Sequence, residues 1–476
     1  MGWAARPWVA VCVPDPDAAT LADTPAKQAR AKRSSLACDG EHEGLPYCAA
    51  PASSNARLIF AIVDRSGVCL PFSRRFSVST RIPALRARAA CESPTDFRAA
   101  MIFHPRISLH FRYHPSMPLP NRPYAAPLRF GIVGCGGIAG LHAQCLRALQ
   151  QEGIAQLVAG ADPNANQRAK FTESWGVPAV ATLDELLARE DVDAVTITSP
   201  SGLHGDQAIA AAKAGKHVLC EKPLDLKLAK ADLAIVTAKE NGVVLGGIFQ
   251  QRFAAGPKKV KRAIEQGYFG DIVLAHCETP WYRSQAYYDS GKWRGTWALD
   301  GGVLSNQSPH MIDRMLWLAG DAVDVMSATC DCGKGRTIEA ETVAIATARL
   351  ASGALATIIG TTLAYDGMPQ RLLICGTEGS AQFVGDELTY FKTSRPFLEE
   401  GDAQAPVAET ASAAGENRAS DPLAMSHAGH LDNIRDFALA VKEGRRPLVT
   451  GEEYRKVTRV LNLIYERAGV GLVGKV

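Results

Sequence analysis

A glycine-rich stretch at residues 129–140 restricts the fold of this chain more than any other feature. Its sequence is RFGIVGCGGIAG, in which the apolar run from Phe130 to Val133 predicts a buried strand. Gly134 allows a tight turn, and Gly136 lets the backbone approach a pyrophosphate closely. Apolar residues then recur at helical spacing, so the start of a helix would offer unpaired N–H groups to an anion. The stretch therefore predicts a strand, a phosphate-binding turn and a helix.

The rest of the turn and the end of the next strand refine this prediction. Gly137, Ile138 and Ala139 complete the pattern G-x-G-x-x-A, although an ordinary glycine-rich turn is the alternative interpretation. Asp162 ends the second predicted strand, where a carboxylate would bind both adenosine ribose hydroxyls and repel a 2′-phosphate. Asp162 could instead cap the following helix. NAD is the expected cofactor, and Arg168 keeps NADP as an alternative.

Residues 1–127 differ from the rest of the chain. They are rich in Arg and Pro, and their apolar residues have no sustained period. Three interpretations compete: a disordered basic tail, a targeting segment, and translation from an upstream start codon. The twin-arginine motif at residues 73–76 lacks the apolar run that an export signal needs. A spurious extension is favoured, because Met117 precedes the first strand by a short Pro-rich lead.

Residues 128–250 alternate between strand and helix patterns. Parallel strands need long crossovers, so this alternation predicts an α/β domain with a doubly wound parallel sheet. Thr182 and Glu185 have the spacing of a capping box at the start of one helix.

The pattern of residues 251–476 predicts an α+β domain. No helices separate its later strands, which predicts an antiparallel sheet. The predicted strands are residues 272–278, 343–350, 354–361, 372–376 and 380–384. Residues 399 to about 427 have little apolar pattern and predict an exposed, mobile loop.

The composition excludes two classes of partner. A net charge of +3 over 476 residues is too small to indicate nucleic acid. No apolar run approaches the roughly 20 residues of a membrane-spanning helix. The 12 cysteines are scattered without the paired spacing of a metal site, which favours free thiols. We therefore expect a cytoplasmic protein that binds neither nucleic acid nor a membrane and holds no metal.

Two stretches carry residues suited to proton transfer. Lys222 follows a buried strand, with Glu221 before it to orient it and Pro223 after it, so the bond to proline is a candidate cis bond. A desolvated ammonium there would hydrogen-bond a substrate hydroxyl, and a Lys222–Glu221 surface pair is the alternative. In the second stretch, Asn306, His310 and Asp313 would share one face of a helix. A histidine with such neighbours is a usual proton acceptor in alcohol oxidation, although a lone histidine is more often structural.

Aromatic and basic residues are concentrated just upstream, between residues 281 and 297. Aromatic rings stack on sugar faces, and arginines bind hydroxyls or a carboxylate. The alternative is an aromatic core cluster. Arg283 and Arg294 are the candidates for contact with an anionic substrate. Trp281, Tyr282, Tyr287, Tyr288, Trp293 and Trp297 are the aromatic members.

Together these motifs resemble the glucose–fructose oxidoreductase/inositol dehydrogenase family (Gfo/Idh/MocA). The resemblance covers residues 128–476 and extends to Pro200–His204, Arg252 and Gly444–Tyr465. The Glu-Lys-Pro tripeptide followed by Gly-Gly and His-x-x-Asp is far more specific than the glycine turn.

The resemblance implies a Rossmann domain followed by a domain with a large open antiparallel sheet, whose face often mediates homodimers or homotetramers. The implied activity is reversible, NAD(P)-dependent oxidation of a secondary alcohol of a sugar, sugar derivative or cyclitol. Lys222 would hydrogen-bond the reacting hydroxyl and help to shift its proton, and His310 would be the general base in oxidation. Both also belong to the implied substrate site. The resemblance adds Pro200, His204, Glu221 and Lys222 to the cofactor site, and Arg252, Trp293, Arg294, Asn306 and Asp313 to the substrate site.

One position departs from the family pattern. The residue four before the histidine is often Asp, and here it is Asn306. An amide binds a hydroxyl but cannot act as a base, which leaves proton transfer to His310 and Lys222.

The segment of residues 287–307 resembles that of a subset of the family whose members act on pyranosides or nucleotide-linked uronates. Two alternatives stay open: epimerisation or glycoside hydrolysis through a keto intermediate with tightly bound NAD, and a non-catalytic nicotinamide-binding regulator.

Overall fold

The structure is a computed structural model in which residues 127–398 and 427–471 are described. A short antiparallel strand pair, β1 (Ile62–Val63) and β2 (Cys69–Leu70), is also described. Among all these residues, no helix is long and apolar enough to span a membrane.

The chain divides into two compact units, Met1–Pro115 and Ser116–Val476. The predictions for residues 1–127 fall almost entirely outside the described residues, as does the predicted mobile loop at residues 399–427. Both stay predictions. The elements that follow all belong to the second unit.

A six-stranded parallel sheet forms the first half of this unit. Its spatial order is β5-β4-β3-β6-β7-β8, and every neighbouring pair is parallel. The strand order reverses between β3 and β6, where ligands bind at the carboxyl ends of such sheets. The predicted doubly wound parallel sheet is therefore confirmed. Its strands are β3 (Leu128–Val133), β4 (Ala155–Ala161), β5 (Ala179–Val180), β6 (Ala194–Ile197), β7 (His217–Cys220) and β8 (Leu245–Gly247).

Helices connect these strands. The predicted capping box is present, because the Thr182 hydroxyl accepts a hydrogen bond from the Glu185 N–H at 3.2 Å and the Glu185 carboxylate accepts the Thr182 N–H. The helices are α1 (Gly137–Gln151), α2 (Ala165–Trp175), α3 (Leu183–Leu187), α4 (His204–Lys213) and α5 (Leu228–Glu240).

A seven-stranded sheet forms the second half, in the order β10-β11-β12-β9-β13-β14-β15. Its neighbours are antiparallel except β12 and β9, which run parallel. The expectation of an antiparallel sheet is corrected at this pair, because β9 is inserted between two groups of strands that come later in the chain. The strands are β9 (Ile272–Pro280), β10 (Ala322–Cys332), β11 (Glu341–Leu350), β12 (Leu355–Thr361), β13 (Arg371–Gly376), β14 (Gly379–Val384) and β15 (Glu387–Thr393).

The described residues of this half form five further α-helices. They are α6 (Ala255–Glu265), α7 (Gln285–Asp289), α8 (Pro309–Ala319), α9 (His427–Glu443) and α10 (Gly451–Ala468). Helices α8 and α10 pack against one face of the seven-stranded sheet. Ala344 and Ala346 point to this face and are buried, whereas Ile345 between them is 52% exposed. In the part of the chain that the structure describes, the opposite face, called the open sheet face below, is therefore exposed at positions such as Ile345.

The last two helices return to the parallel sheet. The ring of Phe437 in α9 lies 6.1 Å from that of Phe130 in β3. Tyr454 in α10 packs so closely on Gly247 that a Cβ atom there would lie 2.5 Å from its ring. The C-terminal helices thus cross the boundary predicted at residue 250 and help to bury the first sheet.

Candidate active site

A cavity of about 680 Å³ lies at the carboxyl ends of the central parallel strands. Loops of the first half line one side of it, and residues 287–310 line the other. The structure brings most of the predicted site residues to this cavity: Gly134, Gly136, Gly137, Ile138, Asp162, Pro200, His204, Glu221, Lys222, Trp293, Arg294, Asn306 and His310. Ala139, Arg252 and Asp313 do not line it.

The glycine turn has the shape that a pyrophosphate requires. Gly134 has φ of 91°, and a Cβ atom there would lie 2.9 Å from the Ser199 nitrogen. A Cβ atom on Gly136 or Gly137 would point into open space, and no side chain caps the start of α1. Ala139 is buried in the core and packs α1 against the sheet. The turn therefore fits a dinucleotide, with exposed N–H groups facing the space for an anion.

Asp162 lies beside this turn at the end of β4. Its carboxylate accepts the Cys135 N–H at 2.9 Å and the Asn164 N–H at 2.8 Å. Asn164, rather than Asp162, caps α2 by accepting the N–H of Asn166. The Arg168 guanidinium donates to two backbone carbonyls at 2.8 and 3.0 Å. The carboxylate thus faces the cavity, while Arg168 is engaged by the backbone.

Lys222 reaches from the first half to the second. Its Nζ donates to the carbonyl oxygen of Asn306 at 2.7 Å, and the Lys222–Pro223 bond is cis, as proposed from the sequence. Burial lowers the pKa of Lys222, and the negative charges of Glu221 and Asp300 oppose this shift. The Lys222–Glu221 surface pair considered above is not formed, because the Lys222 side chain lines the cavity and reaches Asn306.

Two buried histidines hold Glu221. Its Oε1 lies 2.9 Å from His142 Nε2 and 3.6 Å from His430 Nε2, while Oε2 accepts the Lys222 backbone N–H at 3.1 Å. Burial would raise the pKa of Glu221, but hydrogen bonds from both histidines hold it well below its usual range. His142 Nδ1 also lies 2.9 Å from the Thr196 hydroxyl. Both ring nitrogens of His142 therefore have protein partners, and the cluster is a hydrogen-bond network.

Sequence reasoning missed both of these histidines. His142 lies in α1 and His430 in α9, so no local spacing connects them. They belong to the one group of three metal-type ligands found among the described residues. A histidine on the buried face of the helix after the glycine turn was the available signal for His142.

The far end of the cavity is aromatic and positively charged. The Arg294 guanidinium lies 4.3 Å from the centre of the Tyr287 ring and 4.5 Å from that of Trp293. The Tyr287 hydroxyl accepts hydrogen bonds from Arg294 at 2.7 Å and from Gln307 at 3.2 Å. Arg283 is only 3% exposed and stacks on the Tyr287 ring. Arg294, rather than Arg283, is therefore the arginine that lines the cavity.

The predicted helical face at residues 306–313 divides into two parts. Residues Val303–Gln307 form a single π-helical turn, and α8 begins only at Pro309. Asn306 and His310 both line the cavity, and the ring of Phe249 meets His310 edge-on at 5.9 Å. The change of helix type breaks the regular spacing on which the shared face depended.

The geometry corrects the assignment of Arg252 and Asp313 to substrate binding. Each is 1% exposed, and the Arg252 guanidinium donates two hydrogen bonds to Asp313, at 2.8 and 2.6 Å. Arg252 also donates to Glu453 of α10 at 3.1 Å. Two charges taken out of water need such partners, so these residues tie α8 and α10 to residues 250–253.

Two family models match the chain. Residues 128–249 match "Oxidoreductase family, NAD-binding Rossmann fold", and residues 258–382 match "GFO/IDH/MocA C-terminal domain". Myo-inositol 2-dehydrogenase of Thermotoga maritima is 30% identical over 335 residues, which cover 68% of this chain and 92% of that protein.

Solved structures agree with this match. The WlbA dehydrogenase from Bordetella pertussis, in complex with NADH and UDP-GlcNAcA, is 30% identical with a TM-score of 0.63. The match covers 72% of this chain and 96% of that one. Levoglucosan dehydrogenase in complex with NADH has a TM-score of 0.60 over 72% of this chain and 97% of that one; at 22% identity it supports the fold alone. The chain therefore belongs to the Gfo/Idh/MocA family of NAD-binding oxidoreductases, which includes sugar and cyclitol dehydrogenases.

Proposed function

We propose that this protein reversibly transfers a hydride between a secondary alcohol of a sugar, sugar derivative or cyclitol and NAD. One observation carries the proposal. Lys222, Asn306 and His310 meet at the same cavity as the glycine turn and Asp162. Groups able to move a proton thus lie beside the site that fits the dinucleotide.

Each residue has a role in the proposed oxidation. NAD would supply the acceptor for the hydride of the carbinol carbon. The Lys222 ammonium donates a hydrogen bond to the reacting oxygen and stabilises the charge that develops there. His310 takes the hydroxyl proton, and returns it in the reduction. The Asn306 carbonyl, 2.7 Å from Lys222 Nζ, orients the ammonium.

The substrate class that we propose carries a carboxylate or another anionic group. Arg294 supports this choice, because it lies between the rings of Tyr287 and Trp293 at the end of the cavity. A guanidinium binds a carboxylate through two parallel hydrogen bonds, and the rings offer faces for a sugar. The structure of the 30% identical WlbA dehydrogenase contains UDP-GlcNAcA, a ligand of this anionic class.

The test is a substrate panel with NAD and the purified protein. The panel contains neutral sugars, cyclitols, free uronates and nucleotide-linked uronates, and the absorbance of reduced cofactor is followed. Reduction of NAD in the presence of an anionic sugar supports the proposal. If NAD stays bound to the protein during gel filtration and the substrate is converted without net reduction of NAD, the reaction is epimerisation or hydrolysis. Binding without turnover of any substrate would indicate a regulator.

Cofactor choice gives a first mutational prediction. Replacing Asp162 by Ser removes a carboxylate that would bind the ribose hydroxyls and repel a 2′-phosphate. We expect Asp162→Ser to weaken NAD binding by about tenfold, and NADP binding far less, in fluorescence titrations. Asp271→Ser, at an exposed turn, is the control. Equal losses for both cofactors, or none, would contradict the proposed contact.

We also propose that a second copy of the chain covers the open sheet face. Leu355 is 44% exposed there and pairs with Leu274, while Ile345 pairs with Ile359 on the neighbouring strand. Apolar side chains left exposed on several neighbouring strands of one sheet face favour an interface with another chain. We expect light scattering to find a dimer or tetramer, and the double variant Ile345→Lys/Leu355→Lys to be a monomer. Leu233→Lys, on an exposed position of α5, should leave the assembly intact.

A further inference from the structure

Asp300 is a buried carboxylate beside the cavity that has no role in the mechanism above. It is 1% exposed, and its Oδ2 accepts the Gly295 N–H at 2.7 Å. Its Oδ1 accepts a short hydrogen bond from the side-chain amide of Asn306. A carboxylate is rarely buried in this way unless partners stabilise its charge.

Asn306 connects this carboxylate to the lysine. Its backbone carbonyl accepts Lys222 Nζ at 2.7 Å, while its amide nitrogen donates to Asp300. The amide oxygen of Asn306 accepts a hydrogen bond from Gln307 at 2.9 Å. Because an ionised carboxylate only accepts hydrogen bonds, Asp300 fixes which way the amide of Asn306 points.

The charges around the ammonium show why Asp300 matters. Burial and the charges of Arg283 and Arg294 lower the pKa of Lys222, whereas Glu221 and Asp300 raise it. Glu221 is already hydrogen-bonded to His142 and His430. Burial raises the pKa of Asp300 to about 6, although Gly295, Asn306, Arg294 and Lys222 all favour its ionised form. The charge of Asp300 also acts on the buried carboxyl of Glu341 and on the hydroxyls of Tyr287 and Tyr288, whose pKa values burial and this charge both raise.

We propose that Asp300 is a positioning residue, which acts through Asn306 to hold Lys222 in its protonated form and in the orientation used for catalysis. This inference rests on the proposed role of Lys222. Above the pKa of Asp300 its carboxylate is charged and favours the ammonium. Loss of that charge leaves Glu221 alone to oppose burial and the two arginines, so the pKa of Lys222 falls. The alkaline limb of the rate profile, where Lys222 loses its proton, would then move to lower pH.

The test measures the protonation of Lys222 directly. Competitive labelling of lysine amines over a range of pH, read by mass spectrometry of the Lys222 peptide, gives a titration midpoint without turnover. In Asp300→Asn, which keeps the shape and removes the charge, we expect this midpoint to fall by about one pH unit. The alkaline limb of the pH profile of kcat should move to lower pH by a similar amount, while the KM for NAD stays constant. Asp289→Asn, at an exposed carboxylate in α7, should match the wild type in both readouts.

A reciprocal exchange tests the same charge at a new position. The double variant Asp300→Asn/Asn306→Asp returns a carboxylate next to Lys222, so its midpoint should lie close to that of the wild type. An unchanged midpoint in a folded Asp300→Asn protein overturns the inference. If that variant does not fold, Asp300→Ser takes its place, and an unchanged Lys222 midpoint in the folded Asp300→Ser protein overturns the inference. An active Lys222→Ala enzyme would instead refute the proposed function, whatever the labelling shows.

Discussion

The Lys222→Ala variant is expected to lose at least about a hundredfold in kcat, because a positioned acid–base group contributes that much or more. Lys222 Nζ lies in the cavity and is held by the Asn306 carbonyl at 2.7 Å. The glycine turn and Asp162 do not depend on its ammonium. Binding of reduced cofactor, followed by fluorescence, should therefore stay within about threefold of the wild type, since the lost interaction belongs to the reaction.

The control for this experiment is a lysine outside the cavity. Lys213→Ala, at an exposed position near the end of α4, should leave kcat unchanged. Turnover by Lys222→Ala within about threefold of the wild type would reject the proposed role. An equal loss of turnover and of cofactor binding would assign Lys222 to cofactor binding alone.

The second large effect concerns stability. Asp313→Asn should lower the free energy of unfolding by about 3 kcal/mol, because it leaves the buried guanidinium of Arg252 with one charged partner instead of two. Arg252 and Asp313 are each 1% exposed and share two hydrogen bonds of 2.8 and 2.6 Å. Chemical denaturation measures the loss. The KM for sugar substrate should not change in the folded fraction, since neither residue lines the cavity.

An exposed ion pair is the matched comparison for this change. Asp191 lies 2.6 Å from Arg189, and both side chains are partly open to water. Asp191→Asn should therefore cost less than about 1 kcal/mol. A raised KM in Asp313→Asn, with the unfolding free energy preserved, would return Asp313 to the substrate site.

Local patterns predicted most of the fold correctly. The glycine turn, the parallel strands and the capping box at Thr182 depend on residues close in sequence, so their spacing is visible there. The parallel pairing of β9 with β12 is different, because strand order depends on which faces meet in the folded chain. The sequence does not predict strand β10, because its apolar residues alternate weakly and it ends at the Cys-Asp-Cys of residues 330–332.

The sequence predicts those site residues that follow a recognisable strand or belong to a recognisable motif. Lys222 and Asp162 follow the ends of strands, and His310 lies in a motif that resembles the family. Arg252 and Asp313 come from separate parts of the chain, and only the folded geometry reveals that they neutralise each other. The same holds for the carboxylate of Asp300, whose link to Lys222 passes through both the backbone and the side chain of Asn306.

The return of the last two helices to the first sheet has a consequence for biosynthesis. The ribosome releases the parallel strands first, but Phe437 and Tyr454, which cover Phe130 and Gly247, emerge only after the strands of both sheets. His430, one of the two histidines that hold Glu221, emerges with them. A chain truncated before residue 427 would thus expose an apolar surface to chaperones and proteases and would have an incomplete catalytic cavity. The nascent enzyme should therefore become active only after α10 has left the ribosome.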